Sequence, residues 1–178
     1  IADFQQFLKS KSFAITPDGD YGPLTYGAAA DWFCARRQIP IPLWMNHAAS
    51  KIGVHEIEGE KDHPFVVECH AAAGLPDEPD ETPWCGSFVA WCLKKAGEPI
   101  HKGAASARSW EKFGGEVGKK DPPFGSILTF ARTGGSGRHV AFCAGSYGGY
   151  VFHLGGNQSN AVNVKAAEIE TICACRWP

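Results

Sequence analysis

Apolar residues recur at helical spacing near the start of the chain, within residues 1–10 and again within 24–38. A segment rich in proline, glycine and aspartate, 16–23, lies between these runs and predicts an ordered turn. The Ile-Pro-Ile-Pro segment 39–42 cannot continue a helix, because proline lacks the backbone donor and restricts its predecessor to extended conformations. We therefore predict a small helical unit over residues 1–40, followed by a domain boundary.

From residue 43 to residue 178, helical patterns come first and strand patterns follow. Helical spacing predicts helices over 43–51, 63–73, 85–97 and 104–113. Apolar runs separated by glycine-rich turns predict strands over 126–131, 139–144, 150–154, 161–165 and 171–176. Helices followed by a meander of antiparallel strands are typical of an α+β fold, so we predict one α+β domain over 43–178.

The composition is that of a globular protein. Of its 178 residues, 44% are hydrophobic and 12% aromatic, and no apolar run is long enough to span a bilayer. The formal charge of −2 and the pI near 6.4 argue against a basic face for nucleic acid. The first ten residues lack the order of a signal peptide. We expect no nucleic-acid partner, no membrane contact and, by default, a monomer.

One cysteine differs from the others in its setting. The chain has seven cysteines, an odd number that leaves at least one thiol unpaired in a monomer. Most lie in apolar stretches, where a free cysteine behaves as a small hydrophobic residue: Cys34, Cys69, Cys92, Cys143, Cys173 and Cys175. Cys85 instead follows the acidic, proline-rich segment 75–83 and begins a predicted helix. We predict that Cys85 is the free, reactive thiol.

Two polar residues downstream of Cys85 are candidates for a general base and for the residue that orients this base. His139 opens a predicted strand, and Asn157 follows the end of the next strand. A helix N-terminus contributes roughly 0.3 to 1 kcal/mol, less than the about 1.4 kcal/mol of one pKa unit. We therefore expect an imidazolium at His139 to supply the remaining stabilisation of the Cys85 thiolate.

Metal-binding patterns are weak in this sequence. His55-Glu56 is not followed by a histidine at metalloprotease spacing, and His63, Cys69 and His70 form no tetrahedral ligand pattern. We therefore assign no metal and no cofactor. The acidic loop 77–81 is usually a solvated face, although it could hold a cation or receive a substrate amine.

Four segments of the chain occur in a characteristic order. They are Asp80-Glu81-Thr82-Pro83-Trp84-Cys85-Gly86-Ser87-Phe88-Val89-Ala90-Trp91-Cys92, then Ala105 with Arg108-Ser109-Trp110, then Gly137-Arg138-His139-Val140-Ala141-Phe142, and Leu154-Gly155-Gly156-Asn157-Gln158-Ser159-Asn160-Ala161-Val162. With them, residues 43–178 resemble the NlpC/CHAP superfamily of cysteine peptidases. The resemblance implies a papain-like domain with helices packed on an antiparallel sheet. It also implies cleavage of peptide or amide bonds in peptidoglycan stem peptides.

The resemblance assigns roles position by position. Cys85 matches the family nucleophile and His139 the general base. Asn157 matches the third, orienting residue of CHAP enzymes, whereas NlpC-type relatives place that residue earlier on the strand, where this chain has His153. We predict Asn157 for the role, with His153 as the alternative. Trp84, Gln158 and His153 are predicted to border the substrate site.

The first helical unit has a resemblance of its own. Phe4-Gln5-Gln6-Phe7-Leu8 and the Asp18-Gly19-Asp20-Tyr21-Gly22-Pro23 turn are similar to the small helical peptidoglycan-binding domain. The resemblance implies wall contacts at four turn residues: Asp18, Gly19, Tyr21 and Gly22.

The order of a wall-binding unit before a hydrolase resembles modular phage endolysins, which are made in the host cytoplasm and reach the wall through a holin. The expected partner is bacterial peptidoglycan, at the cell wall or periplasm. A secreted autolysin or an antibacterial toxin of the same chemistry remains an alternative. An acyltransferase with the same Cys-His site and a non-catalytic wall-binding module are two further alternatives.

Overall fold

The structure of the protein is a computed structural model that describes residues 1–57, 59, 61–132 and 137–178. Its α-helices are α1 (Ala2–Ser10), α2 (Pro23–Arg37), α3 (Leu43–Ala49), α4 (Pro64–Ala72) and α5 (Cys85–Lys95). Short 3₁₀ helices cover Ala107–Lys112 and Ile169–Thr171. Each predicted helix is present, but those over 43–51, 63–73 and 85–97 end earlier and the one over 104–113 is a 3₁₀ turn.

The strands form a single antiparallel sheet in the described part of the chain. They are β1 (Gly115–Glu116), β2 (Ile127–Ala131), β3 (Arg138–Tyr147), β4 (Tyr150–Gly155), β5 (Asn163–Glu168) and β6 (Ile172–Trp177). Their order across the sheet is β1-β6-β2-β3-β4-β5. Helices with a six-stranded antiparallel sheet confirm the predicted α+β class. Strand β1 was not predicted, because two exposed residues carry no periodic signal.

The two faces of the sheet have different neighbours. Val140 and Phe142 of β3 belong to the large core that includes the buried face of α5. A smaller cluster holds Phe130 and Cys143. Phe130 lies opposite His139 in the β2–β3 register, and opposed residues share a face. His139 therefore shares the sheet face of the smaller cluster, away from the body of α5.

Helices α1 and α2 pack directly on this sheet. The ring centroid of Phe4 lies 4.3 Å from that of Phe152 in a stacked arrangement. The hydroxyl of the buried Tyr21 donates to the carbonyl of Ala144. Gly145 has a left-handed φ of 130°, and a Cβ there would lie 2.8 Å from the Phe4 ring. The first helices and the sheet thus share one hydrophobic core.

Two further observations concern the cysteines and the length of the helices. The seven cysteines are all free thiols. Among the described residues, no helix combines the length and apolar character needed to cross a membrane.

Candidate active site

Cys85 is the first residue of α5 and is almost fully buried, with 3% of its surface exposed. The helix starts here because Pro83 ends the preceding loop and the following residues pack into the core. Gly86 is needed for this packing, since a Cβ at that position would lie 2.3 Å from the carbonyl oxygen of Ala105. The close approach of residues 104–105 fixes the position of the helix start.

A cavity of about 410 Å³ opens beside Cys85. Its wall is formed by Pro83, Cys85, the segment Ala105-Ser106-Ala107-Arg108, Arg132, Gly137 and Arg138. Gly137 and Arg138 directly precede His139 at the start of β3. The predicted nucleophile therefore faces a space that is bounded by the same strand end that carries the predicted base.

The His139 ring is held by an amide network. Its Nε2 lies 3.0 Å from Oε1 of Gln158. The amide nitrogen of Gln158 donates to the Asn163 carbonyl at 2.6 Å and to Oδ1 of Asn163 at 3.0 Å. Asn163 Nδ2 donates back to the Gln158 carbonyl at 2.7 Å. Because these bonds assign the Gln158 nitrogen to Asn163, its oxygen faces His139 and Nε2 of His139 must carry the proton. Nδ1 is then the basic nitrogen.

The surroundings of His139 disfavour its charged form. Burial lowers the pKa of His139 to about 4, against a weaker opposing effect of the Gln158 hydrogen bond. The positive charge of Arg132 lowers this pKa further. The imidazole is consequently neutral near pH 7. This differs from the imidazolium expected from the sequence, because the sequence does not reveal how deeply the ring is buried.

The structure does not join Cys85 and His139 by a hydrogen bond. Within the described residues, Nδ1 of His139 has no hydrogen-bond partner, and His139 is not among the residues that line the Cys85 cavity. Catalytic hydrogen bonds are often long or misaligned without substrate and tighten in the complex. The pairing of the two residues therefore stays a prediction.

Asn157 makes no hydrogen bond to the His139 ring. It has a left-handed φ of 55°, and its side chain makes no hydrogen bond to the described part of the protein. The neighbouring Gln158, predicted only to border the substrate site, makes that contact instead. Sequence reasoning missed the contact because the direction of each side chain depends on the turn after β4.

His153, the alternative third residue, lies beside His139 with ring centroids 5.8 Å apart. Only 6% of its surface is exposed, and its Nδ1 has no hydrogen-bond partner in the described residues. Burial lowers the pKa of His153 to about 3, and the neighbouring His139 contributes in the same direction. His153 is thus a buried neutral neighbour of His139, and its place at the border of the substrate site stays a prediction.

Trp84 is completely buried. Its indole nitrogen donates to Oε1 of Glu56. Gly156 packs on its ring so closely that a Cβ there would lie 2.3 Å from Trp84 Cζ3. The structure therefore gives Trp84, predicted to border the substrate site, a packing position between the start of α5 and the end of β4.

The turn with the predicted wall contacts is organised by the buried Gln5. Its amide nitrogen donates to Oδ1 of Asp18 at 2.7 Å, and its oxygen accepts from the Gly19 amide at 2.8 Å. The Gln5 hydrogen bond lowers the pKa of Asp18. Tyr21 is buried with its hydroxyl on the sheet, whereas Asp18 and Gly19 are exposed and Gly22 is half-buried. Tyr21 thus anchors the turn to the sheet, and the wall contacts of the turn stay a prediction.

One group of carboxylates precedes Cys85. Single oxygens of Asp62, Asp80 and Glu81 lie within 4.8 Å of one another. The buried Asp80 accepts hydrogen bonds from the amides of Ile57 and His63, and its own amide donates to Asp62. These bonds tie the loop before α5 to the segment before α4. Among the residues that the structure describes, these three carboxylates form the group that could hold a cation.

Comparison with known families gives one match. Residues 77–157 match the family model of the CHAP domain. The matched range contains the start of α5, strands β2 to β4 and both Cys85 and His139. No curated protein matches the chain.

Proposed function

We propose that this chain, whose residues 77–157 match the CHAP domain model, hydrolyses a peptide or amide bond of the peptidoglycan stem peptide through a Cys85 thioester. The observation that carries the proposal is the placement of Cys85. Within the CHAP segment, this thiol stands at a helix start and faces an open cavity, beside the strand end that leads to His139. A nucleophile needs both access to substrate and a neighbouring base.

In the proposed reaction, Cys85 Sγ attacks the carbonyl carbon while Nδ1 of His139 accepts the thiol proton. The C–N bond breaks as the same proton passes to the leaving amine, which leaves a thioester on Cys85. Water then adds to the thioester with His139 again as base, and the thiol is restored. Gln158 acts as a positioning residue, since its oxygen fixes the proton on Nε2 of His139.

Charge stabilisation of the intermediate is expected from the first turn of α5. Its backbone N–H groups have no acceptor within the helix and can donate to the oxyanion. The neutral His139 favours general-base activation of the thiol over a preformed ion pair. In this mechanism, the proton of the Cys85 thiol moves to His139 only after the substrate has bound.

The cavity lining supports hydrolysis over acyl transfer to a lipid. Three arginines, Arg108, Arg132 and Arg138, border the space beside Cys85. A lipid acceptor would require an apolar wall. We also propose the lysis role of an endolysin, with residues 1–40 as a wall-contacting unit, on the basis of the sequence resemblance alone.

The test uses purified peptidoglycan with the wild type and Cys85→Ser. Cys92→Ala serves as the matched control, because Cys92 lies on the same helix but is fully buried in the core. Mass spectrometry of the released fragments should show new amino termini with the wild type and Cys92→Ala. Release of the same fragments by Cys85→Ser would remove Cys85 from the mechanism.

A further inference from the structure

We propose that the cavity beside Cys85 is a carboxylate-binding subsite, in which Arg132 pairs with a free carboxylate of the peptide substrate. The proposal rests on the proposed function, because it assigns a substrate group to the same site. It predicts that the enzyme distinguishes a stem peptide with a free carboxylate from the same peptide carrying a carboxamide.

The charged side chains of the cavity wall are all positive. Its charged residues among those described are Arg108, Arg132 and Arg138, and no acidic residue contributes to it. Guanidinium groups bind carboxylates through parallel hydrogen bonds of fixed geometry. A cavity of about 410 Å³ is large enough for a small peptide side chain or terminus. The chemical group that this wall fits is therefore an anion.

Arg138 is already paired within the protein. Its Nε donates to Oε1 of Glu111 at 2.5 Å, and both side chains are about one quarter exposed, at 22% and 26%. This carboxylate lies on the 3₁₀ helix Ala107–Lys112, which also borders the cavity. Arg138 is thus a fixed part of the wall, and its charge is largely balanced.

Arg132 is the cavity arginine whose charge the described residues leave unbalanced. Its side chain is exposed, and no carboxylate of the described chain pairs with it. The stem of the side chain lies along Gly137, where a Cβ would be in ordinary contact with Cδ of Arg132 at 3.4 Å. The Arg132 amide also donates to the Gly137 carbonyl at 3.1 Å, which holds Arg132 next to the residues that lead to His139.

The position of Arg132 also couples substrate binding to the base. Arg132 is close enough to His139 for its charge to lower the pKa of that residue. Burial is the larger cause of the low pKa of His139, and the charge of Lys165 adds to it. A carboxylate bound to Arg132 would therefore offset only a small part of the lowering.

The experiment uses two synthetic stem peptides that differ in a single group, a free carboxylate or the corresponding carboxamide next to the scissile bond. Values of kcat/KM are measured for the wild type, Arg132→Gln and Arg132→Lys. The control is Arg36→Gln, an exposed arginine that stacks on Trp32 in α2, far from the cavity in sequence and outside its lining.

We expect the wild type to prefer the carboxylate peptide by about tenfold or more, the usual range for a charge-assisted pair. Arg132→Gln should abolish this preference by slowing only the carboxylate substrate, and Arg132→Lys should keep part of it. Arg36→Gln should behave as the wild type. Equal losses on both peptides, or a wild type without preference, would overturn the subsite.

A second measurement separates this proposal from the proposed function. Titration calorimetry in the inactive Cys85→Ser background measures binding of each peptide without turnover. Weaker binding of the carboxylate peptide after Arg132→Gln supports the subsite even if neither peptide is cleaved. Failure of the wild type to cleave peptidoglycan, with this binding difference intact, would count against the hydrolase and not against the subsite.

Discussion

At the scale of single residues, the amide pair of Gln158 and Asn163 determines which nitrogen of His139 can act as a base. The pair exchanges hydrogen bonds in both directions, so the Gln158 oxygen can face only the imidazole. The ring is thereby held as one tautomer with Nδ1 free, as a general base for a thiol requires.

Substitution of Gln158 tests this role against the role predicted for its neighbour. Gln158→Ala should lower kcat about 10²-fold or more with a small effect on KM. Without the Gln158 oxygen, the His139 imidazole is no longer held in one tautomer and one orientation. Asn157→Ala is the matched control and should retain most activity, because Asn157 makes no hydrogen bond to the ring. A reversed ranking of the two variants would contradict the role of Gln158 and support the predicted role of Asn157 as the third residue.

The pH dependence of kcat/KM should report the buried imidazole. With a pKa of about 4, His139 is neutral and able to accept a proton throughout the range above that value. Activity should therefore persist from pH 7 towards pH 5 and fall as His139 becomes protonated near pH 4. An acidic limb near pH 6.5, the ordinary histidine value, would show that the ring is solvated in the working enzyme.

Sequence reasoning identified Cys85 and His139 as candidates but did not identify Gln158 as the contact of the ring. A lone cysteine after an acidic loop and a histidine at a strand start are local features. The choice between Asn157 and Gln158 depends on the turn after β4, where Asn157 has a left-handed φ of 55°. Side-chain direction after a strand end cannot be derived from spacing.

At the scale of elements, the start of α5 is fixed by close backbone contacts. Gly86 lies against the carbonyls of Ala104 and Ala105, and Gly156 lies against the ring of Trp84. Both contacts leave no room for a Cβ. The helix end that presents Cys85 is therefore positioned by glycines on both sides.

Gly86→Ala should displace this helix start. Its new Cβ would meet a backbone oxygen at 2.3 Å, which cannot be relieved by a side-chain rotation. We expect a loss of about 1 to 3 kcal/mol in the free energy of unfolding and a strong loss of activity. Thermal denaturation and peptidoglycan hydrolysis measure the two effects.

The control is Gly27→Ala on α2, where a Cβ meets nothing within 4 Å. Alanine is the better helix former, so this variant should be as stable as the wild type or more stable, with unchanged activity. Unchanged stability and activity in Gly86→Ala would contradict the account of the helix start.

At the scale of the whole molecule, the first helices and the sheet form one core. The sequence predicted the helices of residues 1–40 correctly, since their periodicity is local. It did not predict their burial on β3 and β4, which depends on contacts between distant parts of the chain such as Phe4 with Phe152. Whether residues 1–40 fold or bind independently stays a prediction.

Phe4→Ala should destabilise the entire protein. Phe4 is fully buried and stacks on Phe152, so its removal leaves a cavity that costs about 3 to 5 kcal/mol. Leu24→Ala is the control, because Leu24 is 71% exposed and should change the stability little. Calorimetry should show a single transition that moves to lower temperature. A separate transition for the first helices, with the main one unmoved, would contradict the shared core.

The proposed mechanism requires that Cys85 becomes acylated with His139 as its base. Rapid quenching of a reaction with a synthetic stem peptide, followed by intact-mass and peptide-mapping mass spectrometry, measures the acyl-enzyme directly. The account predicts a transient adduct with the mass of the acyl fragment on the Cys85 peptide, strongly reduced in His139→Ala and absent in Cys85→Ser. Hydrolysis that proceeds in the wild type without any adduct, and persists in Cys85→Ser, would contradict it.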